Sequence, residues 1–135
     1  MSTKIFVNLP VSDLTKTKDF FASLGFSFNP QFTDEKAACM VIGEDIFVML
    51  LLKEFFQTFT KKEVADASKS TEAIIALSAD SREKVDALIH KAVKAGGSTP
   101  NEKRDHGFMY SWGFQDLDGH LWEVIWMDPK TINKE

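Results

Sequence analysis

The sequence predicts an α+β fold in which two β-α-β-β-β modules form a curved mixed sheet around a cleft. Three observations carry this expectation. Apolar runs with the alternating or continuous pattern of strands are interleaved with stretches of helical periodicity. The order of these patterns in the first half recurs in the second. The composition, 44% hydrophobic, 27% charged and 12% aromatic over 135 residues, is that of a globular chain large enough for one core.

Residues 4–11 are rich in β-formers, and Pro10 stands near the end of the run, where a missing N–H does least harm, so a strand is expected over 5–9. A helix should follow, capped by Ser12 or Asp13, carrying Leu14, Phe20, Phe21 and Leu24 inward and stopped by Gly25. Strands over 26–28, 37–42 and 46–52 complete the first module, with Gly43, Glu44 and Asp45 as the turn between the last two. Residues 53–70 read as a partly helical linker: Thr60 and Glu63 have capping-box spacing, and the polar end suits a surface loop.

The pattern then repeats. A strand is expected over 72–79, and Asp80 with Glu83 makes a capping pair. Val85, Leu88, Ile89, Ala92 and Val93 fall at i, i+3, i+4, i+7 and i+8, the spacing of an amphipathic helix, which Gly96 and Gly97 stop. A short edge strand over 98–101, broken by Pro100, a longer one over 106–115 and a last one over 121–126 follow, with Asp118 and Gly119 turning between the final two. Val11-Ser12-Asp13 before the first helix answers Ser78-Ala79-Asp80 before the second, and Gly43 answers Gly119. The chain therefore divides into module 1–52, linker 53–70 and module 71–128 within one domain, 1–135. A ligand cleft between the modules is the expected site.

Charge and cysteine content narrow the function classes. Against 20 Asp and Glu there are 16 Lys and Arg, a formal net charge of −4 spread along the chain, so no nucleic-acid footprint is expected. The single cysteine, Cys39, can make no internal disulfide, and the N-terminus runs into an apolar strand rather than a secretory segment, which points to the cytoplasm. The longest apolar run, 46–52, is far short of the ~20 residues that span a bilayer. No phosphate loop, dinucleotide fingerprint, Ser-His-Asp or Cys-x-x-Cys signature is present.

Val11-Ser12-Asp13-Leu14 leading to Leu24-Gly25-Phe26, together with Asp116-Leu117-Asp118-Gly119-His120-Leu121-Trp122-Glu123, resembles the vicinal oxygen chelate superfamily of glyoxalases, bleomycin-resistance proteins and extradiol dioxygenases. Ile5-Phe6-Val7-Asn8-Leu9-Pro10-Val11 and Asp105-His106-Gly107-Phe108-Met109-Tyr110 are similar in style to a predicted lactoylglutathione lyase subgroup. The resemblance implies duplicated modules, a small organic ligand and a homodimer. Metal-dependent members take one ligand from each of four strands. The matching positions here are Phe6, one of 47–49, Ile74 and Glu123, and Glu123 alone carries a strong ligand, so no complete metal site and no cofactor are expected.

Glu123 is accordingly the expected catalytic residue, a carboxylate whose desolvation in a cleft would suit a proton shuttle. Alternation places His106, Phe108, Tyr110, Trp112 and Phe114 on one strand face, which gives His106 and Tyr110 as acid, base or orienting groups and Trp112 as a lining ring. Asn8 is a candidate amide hydrogen-bonder, and Trp122 must point away if Glu123 points in. His90 and His120 read as surface residues, and Cys39 as a small buried apolar one. The sequence thus supports a small-molecule lyase or isomerase with absent or atypical metal dependence. The alternative is a non-catalytic sequestering protein of the bleomycin-resistance type, to which twelve phenylalanines are equally suited.

Overall fold

The computed structural model describes residues 2–132. Two compact units divide the chain between Asp66 and Ala67, within the segment 53–70. The first unit runs β1 (Ile5–Val11), α1 (Leu14–Ser23), β2 (Ser27–Phe28), a 3-10 turn (Pro30–Phe32), β3 (Ala37–Gly43), β4 (Ile46–Leu52) and α2 (Lys53–Gln57). Its four strands lie in the order β1-β4-β3-β2, with β1 parallel to β4 and the other pairs antiparallel.

Local chemistry sets the ends of α1. The Asp13 side chain accepts the Lys16 backbone N–H at 3.0 Å, and Gly25, with φ of 105°, takes the left-handed turn that stops the helix. The helix buries Leu14, Phe20 and Phe21 and packs on β3 and β4. Register gathers Ala38, Met40, Val48 and Leu50 on one sheet face, each 1% exposed or less. Removing Met40, Val48 or Leu50 from water contributes about 1.5–3 kcal/mol each, before the entropy of ordering the chain. Phe6, Asn8, Phe47 and Met49 share the opposite face.

The second unit repeats the order: β5 (Ile74–Ser78), α3 (Arg82–Lys94), β6 (Arg104–Asp105), β7 (Met109–Gln115), β8 (Leu121–Met127) and α4 (Pro129–Ile132). Its sheet order is β5-β8-β7-β6, again with one parallel pair, β5 with β8. Val85, Ile89 and Ala92 are buried as α3 packs on β7 and β8. Phe114 and Trp122 stack beneath it with ring centroids 5.9 Å apart. Two βαβββ units with mixed four-stranded sheets and helices make the chain α+β, as its duplicated pattern predicts. Among the described residues no helix is long and apolar enough to cross a membrane.

Four local expectations are corrected. The helix after β4 is Lys53–Gln57, with no helix begun at Thr60, because the Thr60 hydroxyl accepts the Lys62 N–H within a non-helical turn that Gln57 also closes by donating to the Thr60 and Lys62 carbonyls. The cap of α3 is Ser81, which accepts from the Lys84 N–H, while Asp80 pairs with the Lys84 ammonium at 3.2 Å. Residues 98–101 give only an isolated bridge between Ser98 and Gln115, and the edge strand is Arg104–Asp105, past Pro100. The strand expected from residue 106 begins at Met109, since Gly107, with φ of 82°, turns the chain while Asp105 accepts its N–H.

Candidate functional site on the open face of the second sheet

Strand register divides the second sheet into two faces of different chemistry. Tyr110, Trp112 and Phe114 stand opposite Trp126, Val124 and Trp122, and this face meets α3. Alternation turns Ser111, Gly113 and Gln115 the other way, beside Ile125, Glu123 and Leu121. Parallel pairing of β5 adds Ile74, Ala76 and Ser78 to this face, and Arg104 joins it from β6; it is open in the sense that α3 packs on the other side. Each level of the face is therefore a lateral row. Glu123 lies between Ala76 and Gly113, and the next row runs Ser78, Ile125, Ser111 and Arg104.

Glu123 is half-buried and is the carboxylate of this face. Both its row neighbours are small, so its side chain is not hemmed in laterally. A Cβ placed on Gly113 would collide with the Glu123 carboxylate oxygen and lie 2.8 Å from the Trp122 carbonyl oxygen. The carboxylate thus leans over the β7 backbone. A group there can accept a hydrogen bond or a proton from a molecule lying on the sheet.

The other residues singled out by the sequence are placed as follows. Tyr110 is buried on the α3 face, where its phenol donates to the Asp86 carboxylate at 2.6 Å. Burial, then the hydrogen bond and charge of Asp86, push its pKa up to about 12. Trp112 is half-buried on the same face, edge-on to His90 at 5.6 Å, with its indole N–H donating to the Asn101 carbonyl. The alternation that grouped Tyr110, Trp112 and Phe114 is real, but the shared face is turned to the helix, on the far side of the sheet from Glu123. Reading which face is open needs the placement of α3, which periodicity within one strand does not contain.

His106 precedes β7 in an exposed turn, its backbone N–H donating to the Met109 carbonyl and its ring 6.4 Å from Phe108. Asn8 is exposed on β1, its amide donating to the Phe6 carbonyl at 3.3 Å, on the face that carries Phe6 and Met49. Trp122 is buried under α3, opposite in sense to Glu123. Cys39 is buried, and burial pushes its thiol pKa up, away from nucleophilic character.

Sequence reasoning missed Gly113 and Ala76, whose smallness shapes the surroundings of Glu123. A glycine inside a strand is itself a sign of close approach by another group. It also missed Arg82, whose guanidinium sits 5.2 Å from the Tyr110 ring and 5.0 Å from the Trp126 ring while pairing with Asp105 at 2.6 Å and donating to the Gly107 carbonyl. Arg82 thereby fastens the turn that presents His106.

The residues at the metal-ligand positions of the resemblance do not fit a divalent ion. The Phe6 and Phe47 rings stack on each other at 4.9 Å, and Ile74 offers no lone pair. Among the described residues no group of three or more His, Cys, Asp or Glu side chains is arranged to hold a metal.

Comparison with known proteins agrees with this architecture. A family model described as the Glyoxalase/Bleomycin resistance protein/Dioxygenase superfamily matches residues 5–124. A hypothetical protein of S. aureus, SA1046, is 30% identical, with a TM-score of 0.79 over 93% of this chain and 94% of that one. The fosfomycin resistance protein FosX of Mesorhizobium loti shares the fold at 16% identity and a TM-score of 0.71, covering 99% of both chains. TnmS3, an antibiotic binding protein of Streptomyces sp. CB03234, does so at 20% identity and 0.68, over 94% of this chain and 97% of its own. Among proteins of curated function none matches the sequence. With a family model spanning nearly the whole of both βαβββ units, the chain belongs to the Glyoxalase/Bleomycin resistance protein/Dioxygenase superfamily.

Proposed function

We propose that the protein binds a small organic molecule on the open face of the second sheet and moves a proton on it through Glu123, as a lyase or isomerase of the lactoylglutathione lyase kind. The observation that carries this reading is the row Ala76–Glu123–Gly113: a carboxylate with small neighbours, on the side of the sheet away from α3. Glu123 takes a proton from the hydroxyl-bearing carbon beside a carbonyl and returns it to the former carbonyl carbon, while the hydroxyl proton passes to the former carbonyl oxygen, so the first carbon becomes the thioester carbonyl and the carboxylate ends as it began. The scheme needs no metal, in keeping with Glu123 belonging, among the described residues, to no group of three or more His, Cys, Asp or Glu side chains that could hold one.

The test is turnover of the hemithioacetal formed from methylglyoxal and glutathione, followed as thioester absorbance in the purified protein. Thioester formation that Glu123→Gln lowers about 10²–10⁴-fold is the expected result. Absence of turnover sinks the catalytic reading.

A second reading, non-catalytic sequestration, is favoured by the stacked Phe6 and Phe47 rings at positions where the resemblance calls for metal ligands. Its relatives in fold include an antibiotic binding protein. Stoichiometric binding of bleomycin by calorimetry, with no turnover of the hemithioacetal, decides for it. A homodimer in the cytoplasm belongs to either reading. It is supported by the exposed apolar residues Ile5, Phe6 and Ile46 of the first unit and by a lone, buried Cys39.

A further inference from the structure

We infer that Gly113 is a positioning residue for Glu123: its missing side chain lets the carboxylate lie across β7 instead of standing up from the sheet. The inference rests on the reading of Glu123 as the working carboxylate and adds the residue that sets its direction.

Three observations lead to it. Gly113 pairs directly with Glu123 in the β7–β8 ladder, so any side chain at 113 would share the same face and the same row. A Cβ built there collides with the Glu123 carboxylate oxygen and comes within 3.4 Å of its Cδ. Glycine in a strand interior is unfavourable by roughly 0.5–1 kcal/mol relative to alanine, so its presence in the middle of β7 calls for a cause. The carboxylate is one such cause. The Trp122 carbonyl oxygen, 2.8 Å from the same Cβ position, is the other, and it concerns only the spacing of the two strands.

The two causes separate experimentally. If the carboxylate leans over β7 because nothing stands at 113, a methyl group there must swing it aside. On the other flank Ala76 already carries a methyl group, whereas the carboxylate reaches over the glycine. A glutamate whose direction is set by a neighbour's absence needs no hydrogen-bond partner to hold it.

The experiment is carbon-13 NMR of the full chain with labelled glutamate, the Glu123 Cδ resonance being identified by its loss in Glu123→Gln. In Gly113→Ala this resonance is expected to move while those of the other glutamates stay in place. An unmoved Glu123 resonance in a folded Gly113→Ala protein overturns the inference. Should Gly113→Ala not fold, Glu123→Ala is added to it. Recovery of the fold in the double variant supports the carboxylate as the obstructed group, whereas continued failure assigns the glycine to the Trp122 carbonyl alone and overturns the inference. Neither readout needs ligand or turnover, so a failed hemithioacetal assay leaves it standing and the two ideas fail separately.

Discussion

Burial decides the protonation behaviour of individual side chains here, and the clearest case is the chain's one tyrosine. Tyr110 gives up water and lies against Asp86, which raises its pKa to about 12. Tyrosinate absorbance on alkaline titration therefore reports one group, with an expected midpoint near pH 12 in the folded protein and near the ordinary value of about 10 in denaturant. Because the folded value is the higher, Tyr110 contributes stability that is complete below pH 10 and disappears as the pH rises toward 12. Asp116 is the buried counterpart at low pH. Its carboxylate accepts from the Trp122 indole N–H and from the backbone N–H groups of Asp118 and His120, each at 3.0 Å. Burial nevertheless raises its pKa against the pull of His120 and these donors. Asp116→Ala should cost about 3 kcal/mol by urea denaturation, since the donors lose their shared acceptor. With a raised folded pKa, the contribution of Asp116 is full below the ordinary carboxylate range and declines as the pH rises through the raised value. The penalty of Asp116→Ala should accordingly be larger at acid pH than at neutral pH.

At the scale of elements, turns are held by side chains that lie far away in sequence. Arg82, at the start of α3, pairs with Asp105, donates to the Gly107 carbonyl and stands over the rings of Tyr110 and Trp126. Arg82 and the Gly107 N–H hold the Asp105 carboxyl below its ordinary pKa, so the contribution of the pair is present above that range and is lost as the pH falls through the lowered value. Arg82→Ala should raise amide hydrogen exchange at Gly107 and Asp128, whose N–H groups bond within this turn, and unchanged exchange there would show that the turn holds itself. Gly119 is a different device. Its φ of 96° favours glycine, and a Cβ would come within 2.8 Å of the Ala67 and Ser68 backbone. Gly119→Ala is expected to lower stability by about 1–3 kcal/mol in urea, through strain and obstruction together. The Asp118-Gly119 turn was legible in sequence, as were the Gly25 stop and the α3 periodicity, because each is a local preference of a few residues. That the turn packs on Ala67 and Ser68 was not, since those residues lie some fifty positions away and nothing in a local pattern pairs two distant loops.

For the whole molecule, duplication is the organising fact: the same strand order and the same single parallel pair occur in both units. Exposed Ile5, Phe6 and Ile46 lead to the expectation of a dimer by sedimentation equilibrium, with Phe6→Glu shifting it toward monomer; a monomer at micromolar concentration removes this part of the proposal. Sequence order alone was enough for the α+β class and both βαβββ units, because periodicity, turn residues and side-chain chemistry are properties of the chain itself. Glu123 could be singled out from its motif for the same reason. Which sheet face is open was settled only in three dimensions: α3 covers Tyr110 and Trp112, and that covering leaves Glu123, Gly113 and Ala76 together on the other side. A strand's alternation sorts residues into two sets, and only the helix packed against one of them says which set is the core.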